Sequence, residues 1–111
     1  MKLIFKQKEL LNSLNIVTKA TKRNILQAIL ECVLIDATKN EIIFTCTDGK
    51  EITIRKIVDG IILEKERTAK DGALFTNIVR TLPENNDIEF YVNDNLECNI
   101  NCIGRDLRQK K

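Results

Sequence analysis

The chain has 111 residues, of which 43% are hydrophobic and 31% are charged, and its formal net charge is +2. This length suits one domain with a single core, and this composition is typical of a globular protein rather than a disordered tail. No apolar run approaches the roughly 20 residues that a membrane span needs, and residues 1–6 are too few and too interrupted for a signal peptide, so we expect a cytoplasmic protein without a membrane partner.

The first half of the chain predicts a strand, a helix and three more strands. Residues 2–6 predict a short strand, and residues 8–19 carry apolar side chains at helical spacing, which predicts an amphipathic helix with one buried stripe. The three strands that follow are predicted at 29–36, 41–47 and 51–58. Asp48-Gly49 is a hairpin signal between the last two, and the third strand should point Ile52 and Ile54 inward.

The second half repeats this pattern. A strand-like stretch at 61–69 leads to Asp71, a favourable N-cap residue for a helix at 72–82. Strands at 88–92 and 96–102 follow. The predicted buried stripe of the second helix consists of five apolar residues, namely Leu74, Phe75, Ile78, Val79 and Leu82.

These elements predict an α+β fold, in which two helices lie side by side on one layer of mainly antiparallel sheet with a pseudo-twofold strand-helix-strand repeat. Each helix has a single apolar stripe, so each must lie on a sheet. We expect one domain over 1–103, with subrepeats at about 1–58 and 61–103. Residues 104–111 are either a basic tail or a truncated last strand.

The chain offers little to support catalysis or a metal site. It has no histidine, no phosphate-cradling glycine loop and no nucleophile motif. Its four cysteines, Cys32, Cys46, Cys98 and Cys102, lack the close pairs of a zinc site. We therefore expect no cofactor and interpret the cysteines as buried thiols that act as small hydrophobic residues.

The charges differ between the predicted helices and strands. The solvent-facing positions of the first helix are basic or neutral (Lys8, Asn12, Asn15 and Lys19), and its one acid, Glu9, lies in the first turn. Lys22 and Arg23 follow this helix, and the second helix exposes Thr76, Asn77 and Arg80. Most acids lie on strands or turns. A helix layer of this kind suits sequence-independent contact with a phosphate backbone, although ordinary solvated helix faces explain the charges equally well.

Four segments, taken in chain order, resemble a known family. They are the opening Met1-Lys2-Leu3-Ile4 with Glu9-Leu10-Leu11 and Leu14-Asn15-Ile16-Val17; the strand Ile29-Leu30-Glu31-Cys32-Val33-Leu34-Ile35-Asp36-Ala37; Thr47-Asp48; and Asp71 with Leu74-Phe75, Ile78-Val79-Arg80 and Leu82-Pro83. This series is similar to the amino-terminal domain of the bacterial DNA polymerase III beta subunit, the DNA sliding clamp.

The resemblance implies a DNA-clamp half-ring unit that belongs to a non-catalytic processivity factor of the replicative polymerase. In the family, the helices line a ring around double-stranded DNA and the sheets form its outer surface. By position, the resemblance implies that the DNA-facing cations are Lys19, Lys22, Arg23 and Arg80. Other clamp domains or subunits are the implied partners in ring assembly.

The chain also departs from the family pattern. Ala28 replaces a proline, and one residue is inserted beside Gly49 relative to the family pattern. The family's domain ends in an apolar interface strand, whereas Leu107 is the one apolar residue of 104–111. Polymerase and clamp loader bind, in the family, through domains absent from this chain. An excised fragment and a truncated gene product both remain open, as does an alternative function as a truncated, clamp-like protein-interaction module that does not itself encircle DNA.

Overall fold

A computed structural model describes residues 1–21 and 28–103, with the side chains of residues 28 and 29 left aside. Within these residues the strands are β1 (Lys2–Lys6), β2 (Cys32–Asp36), β3 (Ile42–Thr47), β4 (Thr53–Val58), β5 (Ile61–Glu64), β6 (Arg67–Asp71), β7 (Asp87–Val92) and β8 (Cys98–Cys102). The helices are α1 (Gln7–Val17) and α2 (Gly72–Arg80), with short 3₁₀ turns at Thr18–Ala20 and Ala28–Glu31. In the part of the chain described, no helix is long and apolar enough to cross a membrane.

The strands form two four-stranded antiparallel sheets. The first sheet has the order β5-β1-β7-β8, and the second has the order β4-β3-β2-β6. The predicted α+β class, with two helices on antiparallel strands, is confirmed. The expected single sheet is divided in two because the stretch predicted as one strand at 61–69 breaks after Glu64: β5 pairs with β1, and β6 pairs with β2.

The pseudo-twofold repeat appears in the strand order. The series β1-β7-β8 in the first sheet corresponds to β6-β2-β3 in the second. In each sheet a strand that precedes one helix pairs with the strand that follows the other helix. Neither half of the chain can therefore complete a sheet alone, so the two repeats form a single folding unit.

Apolar side chains from both helices and both sheets share one core. Leu10, Leu14 and Val17 of α1 are fully buried. The Phe5 and Phe44 rings meet edge to face with centroids 5.8 Å apart, which connects the two sheets. Phe75 of α2 lies 5.3 Å, centroid to centroid, from Phe90 of β7. Aromatic contacts of this kind fix the orientation of the packed elements in addition to burying area.

The two helices run antiparallel. Near the start of α1, the buried Gln7 side chain donates a hydrogen bond from Nε2 to the Val79 carbonyl oxygen at 2.9 Å, close to the end of α2. At the other end, a Cβ added to Gly72 would lie 3.3 Å from the Thr18 Cγ2 atom. A contact at that distance is tight, and the Thr18 methyl group would have to move by a few tenths of an ångström to accept it, so glycine eases the approach of the two segments.

Several expectations about individual side chains are wrong. Ile52 is 53% exposed because it precedes β4, in the turn that follows Asp48. Thr76 is buried, and its hydroxyl donates a hydrogen bond to the Gly72 carbonyl oxygen at 2.7 Å. Cys98 and Cys102 are exposed because β8 lies at the edge of the first sheet. Of the four cysteines predicted to be buried, Cys46 is buried and Cys32 is half-buried.

Candidate nucleic-acid interface

The exposed surface of the two helices forms a polar layer that is poor in acids. Lys8, Glu9, Asn12 and Asn15 are exposed on α1, and Lys19 is exposed in the 3₁₀ turn that follows it. On α2 the exposed polar residues are Asn77 and Arg80. We call these seven residues the helix layer. Three of the seven are cations and one, Glu9, is an acid. Glu9 lies in the first turn of α1, where the helix dipole favours a carboxylate.

Lys19 is held by hydrogen bonds on both sides of it. The Thr18 hydroxyl donates to the Leu14 carbonyl oxygen at 2.6 Å, and the Thr21 hydroxyl donates to the Thr18 carbonyl oxygen at the same distance. Ala20 is buried beside it. The backbone is therefore fixed while the ammonium group of Lys19 remains in solvent, a suitable arrangement for a phosphate contact.

Arg80 bridges the two helices. Its Nη1 atom donates to Asn77 Oδ1 at 2.7 Å, within α2, and its Nη2 atom donates to Asn15 Oδ1 of α1 at 3.4 Å. Neither Arg80 nor Lys19 forms an ion pair with a residue that the structure describes. Both positive charges are therefore available to an external anion.

The balance of charged residues differs less between the sheets and the helix layer than the acids on the strands suggested. The strands carry Glu64 and Glu89, and these pair with the Met1 amino group and with Lys2, each at 3.7 Å. The strands also carry cations of their own, such as Arg55 and Arg67. The distinguishing property of the helix layer is its shortage of acids, and not an excess of acids on the sheets.

Three of the residues named from the sequence lie outside the described part of the chain. These are Lys22 and Arg23, expected to contact DNA, and Leu107, expected at a subunit interface. Of the residues named from the sequence, Lys19 and Arg80 lie on the helix layer. The assignments of Lys22, Arg23 and Leu107 stay predictions.

A second surface was missed by the sequence analysis. Between α2 and β8 lies a shallow apolar groove of about 200 Å³, here called the α2–β8 groove, lined by Lys70, Asp71, Leu74, Phe75, Ile78, Cys98 and Ile100. Leu74 is 61% exposed, although its helical spacing assigned it to the core. The sequence feature that could have indicated this groove is the wide apolar stripe of α2, because a helix packed on one sheet buries a narrower stripe.

The α2–β8 groove lies beside an open sheet edge. Within residues 28–103, β8 pairs with β7 on one side and has no strand on the other. Ile100 and Cys98 stand opposite Phe90 and Val92 of β7, so they face the same side of the sheet as the core. An exposed apolar face next to an unpaired strand edge is typical of a surface that another protein domain covers.

Three of the four cysteines have raised thiol pKa values. Burial, and to a smaller extent the nearby Cys32, raises the pKa of the Cys46 thiol to about 11. Burial also raises the pKa of Cys32 and of Cys98. Thiols with raised pKa values are poor nucleophiles at neutral pH. In the residues that the structure describes, no group of three or more metal-ligating side chains occurs.

Comparison with known proteins supplies close relatives. The family model for the DNA polymerase III beta subunit, N-terminal domain, matches residues 1–107. A DNA polymerase III beta subunit structure from Eubacterium rectale is 42% identical, with a TM-score of 0.86 over 92% of this chain and 27% of that chain. The pol III beta structure from Caulobacter crescentus is 26% identical, with a TM-score of 0.83 over 95% of this chain and 28% of that chain.

The relatives also include a complex. The Bartonella birtlesii sliding clamp, bound to griselimycin, is 26% identical, with a TM-score of 0.75 over 92% of this chain and 27% of that chain. The chain thus spans little more than a quarter of the length of these proteins. A comparison with curated protein sequences gave no match.

Proposed function

The chain belongs to the DNA polymerase III beta subunit family, as its N-terminal domain, and from this premise we propose that it is a non-enzymatic sliding-clamp domain whose helix layer contacts double-stranded DNA. In this proposal Lys19 and Arg80 contact phosphates without reading base sequence. Lys22 and Arg23, which follow Lys19 in the sequence, are proposed to contact phosphates as well. The domain acts in the cytoplasm as part of a processivity factor in DNA replication.

One observation carries the proposal. Lys19 and Arg80 are exposed on the same acid-poor layer, and neither is neutralised by a described carboxylate. Cations of this kind release condensed counterions when they bind a phosphate backbone, so the affinity they provide falls as salt rises. The placement suits a tether that holds DNA and allows it to move.

The α2–β8 groove supports a second part of the proposal, namely assembly with another clamp domain. A single domain cannot surround a duplex, so clamp activity needs further domains, and polymerase or clamp loader would bind through those domains. The exposed Leu74 and Ile78 provide an apolar surface for such a contact, beside β8, which has no second neighbouring strand among the described residues. A protein-interaction module that lacks DNA affinity would use this groove without the helix layer.

The test is a DNA-binding titration over a series of salt concentrations. Fluorescence anisotropy of a labelled duplex would be measured with the whole chain, with Lys19→Ala/Arg80→Ala, and with the matched control Arg55→Ala/Arg67→Ala on the sheets. We expect the helix-layer variant to reduce the slope of log affinity against log salt by about 0.9 for each lost contact. Equal losses in the two double variants would contradict the proposed surface, and a wild-type chain without affinity would favour the protein-interaction module.

A further inference from the structure

Two neutral amides surround the guanidinium group of Arg80. Asn77 precedes Arg80 by one turn on α2, and Asn15 reaches the same group from α1, so the two Oδ1 atoms hold Nη1 and Nη2 at 2.7 and 3.4 Å. An arginine side chain has several rotatable bonds, and an exposed one is normally mobile. Here it is held at two points on two different helices.

The chemistry of the two acceptors is as informative as their position. A carboxylate at either place would hold the guanidinium more strongly and would also neutralise it. An amide oxygen accepts the same hydrogen bond and leaves the full positive charge for an external anion. A guanidinium has five N–H donors, so two such bonds leave further donors for a phosphate.

We propose that Asn15 and Asn77 are positioning residues, which hold Arg80 in a DNA-facing orientation across the two helices without neutralising its charge. The inference rests on the proposed function, in which Arg80 contacts a phosphate. It adds that the neutrality of positions 15 and 77 is a requirement for DNA contact, although neither asparagine needs to touch DNA.

The experiment compares two substitutions at one position. Asn77→Ala removes the shorter of the two hydrogen bonds that hold Arg80 and keeps the charge. The salt slope should therefore stay as in the wild type while affinity falls about two- to tenfold, as the long side chain must then be immobilised on binding. Asn77→Asp keeps this hydrogen bond and neutralises Arg80, so the slope should fall by about 0.9, as it does for Arg80→Ala. Asn12→Asp adds the same charge to the helix layer at a residue that makes no described hydrogen bond to Arg80, and it is the matched control.

A double-mutant cycle separates pairing from general repulsion. If Asn77→Asp acts through Arg80, it should have little further effect on the slope in an Arg80→Ala background. A second readout needs no DNA: the carboxyl introduced by Asn77→Asp should titrate at a lower pKa when Arg80 is present than in the Arg80→Ala background, as NMR would record.

The outcomes distinguish this inference from the function on which it rests. Two results would overturn the positioning role in a wild-type chain that binds DNA. One is an equal effect of Asn77→Asp and Asn12→Asp on DNA affinity. The other is an introduced carboxyl whose pKa is the same with and without Arg80. A wild-type chain without salt-sensitive DNA affinity would overturn the proposed function and this role together.

Discussion

Asp36 shows how a single carboxylate stabilises the end of a strand. It ends β2, and its Oδ1 atom accepts a hydrogen bond from the Thr38 hydroxyl at 2.6 Å and another from the Thr38 backbone N–H at 2.9 Å. These hydrogen bonds, with smaller contributions from Arg67 and Lys39, lower the pKa of Asp36 below its usual value of 3.8. The charged form is therefore favoured in the folded protein over the unfolded chain.

The sign of the resulting pH dependence follows from linkage. Because the folded pKa of Asp36 is lowered, its contribution is complete above the usual pKa and is lost as the pH falls through the folded value. We expect Asp36→Asn to lose less stability than the wild type when the pH is lowered from about 6 to about 3. Urea unfolding at both pH values measures this difference.

Thr38→Ala is the matched variant for this prediction. It removes the hydroxyl donor and keeps the carboxylate, so its sensitivity to acid should lie between those of the wild type and Asp36→Asn. An Asp36→Asn protein that loses as much stability in acid as the wild type would contradict the role of these hydrogen bonds.

At the scale of the elements, Gly60 is the point where the chain passes from the second sheet to the first. It lies between β4 and β5 in the chain. A Cβ placed there would lie 2.9 Å from the Ile4 carbonyl oxygen and 2.8 Å from Ile42 Cδ1. The carbonyl belongs to a paired strand, so it cannot move away without disturbing the β1–β5 ladder.

We expect Gly60→Ala to lower the free energy of unfolding by about 1–3 kcal/mol, the range found for overpacked sites. Chemical denaturation with circular dichroism would measure it. Asp59→Ala, in the same exposed turn, is the control and should change stability by no more than about 0.5 kcal/mol. A Gly60→Ala protein as stable as this control would contradict the prediction, because it would show that the space around Gly60 can hold a methyl group.

The helix cap, the hairpin turn and the helix bounds were predicted correctly because each depends on residues that are close in sequence. Asp71 caps α2 as expected, since its Oδ1 atom accepts a hydrogen bond from the Leu74 N–H at 2.8 Å. The Asp48-Gly49 turn forms with Gly49 at φ +77°, the left-handed conformation that glycine adopts easily. Both helices lie within about two residues of their predicted bounds.

The expectations that failed depend on long-range pairing. Residues 61–69 read as one strand because nothing local marks the place where the chain leaves one sheet for the other. Leu74 and Cys98 have the spacing of core residues, but Cys98 lies on the outermost described strand of the first sheet and Leu74 lines the groove beside it. For the candidate site, the resemblance proposed Lys19 and Arg80 by position, whereas the bridge from Arg80 to Asn15 depends on the packing of α1 against α2 and has no signal in the sequence.

At the scale of the whole molecule, the helix layer and the α2–β8 groove separate the two proposed activities. The helix layer offers charge to DNA, and the groove offers apolar area to another domain. Leu74 contributes to the groove and is 61% exposed, so it can be changed without disturbing the core. This separation allows assembly to be tested independently of DNA binding.

We expect Leu74→Lys to weaken association of the chain with a full-length beta subunit, such as the Eubacterium rectale relative, because it places a charge in an apolar interface. Sedimentation velocity of the mixture would record the loss of a faster species. The free energy of unfolding should change by no more than about 0.5 kcal/mol. Leu63→Lys, which alters an exposed leucine of β5 outside the groove, is the matched control. Association that both variants leave intact would contradict the assignment of the groove.

The most direct test of the account is an NMR titration of the isotope-labelled chain with a short duplex at low salt. We expect the backbone amide shifts to change along the helix layer, from Asn12 and Asn15 to Lys19, Asn77 and Arg80, and to return as salt is added. The outer surfaces of β3 and β4 should stay unaffected. Shift changes centred on those strands, or a chain that ignores the duplex at low salt, would contradict the claim that the helix layer faces DNA.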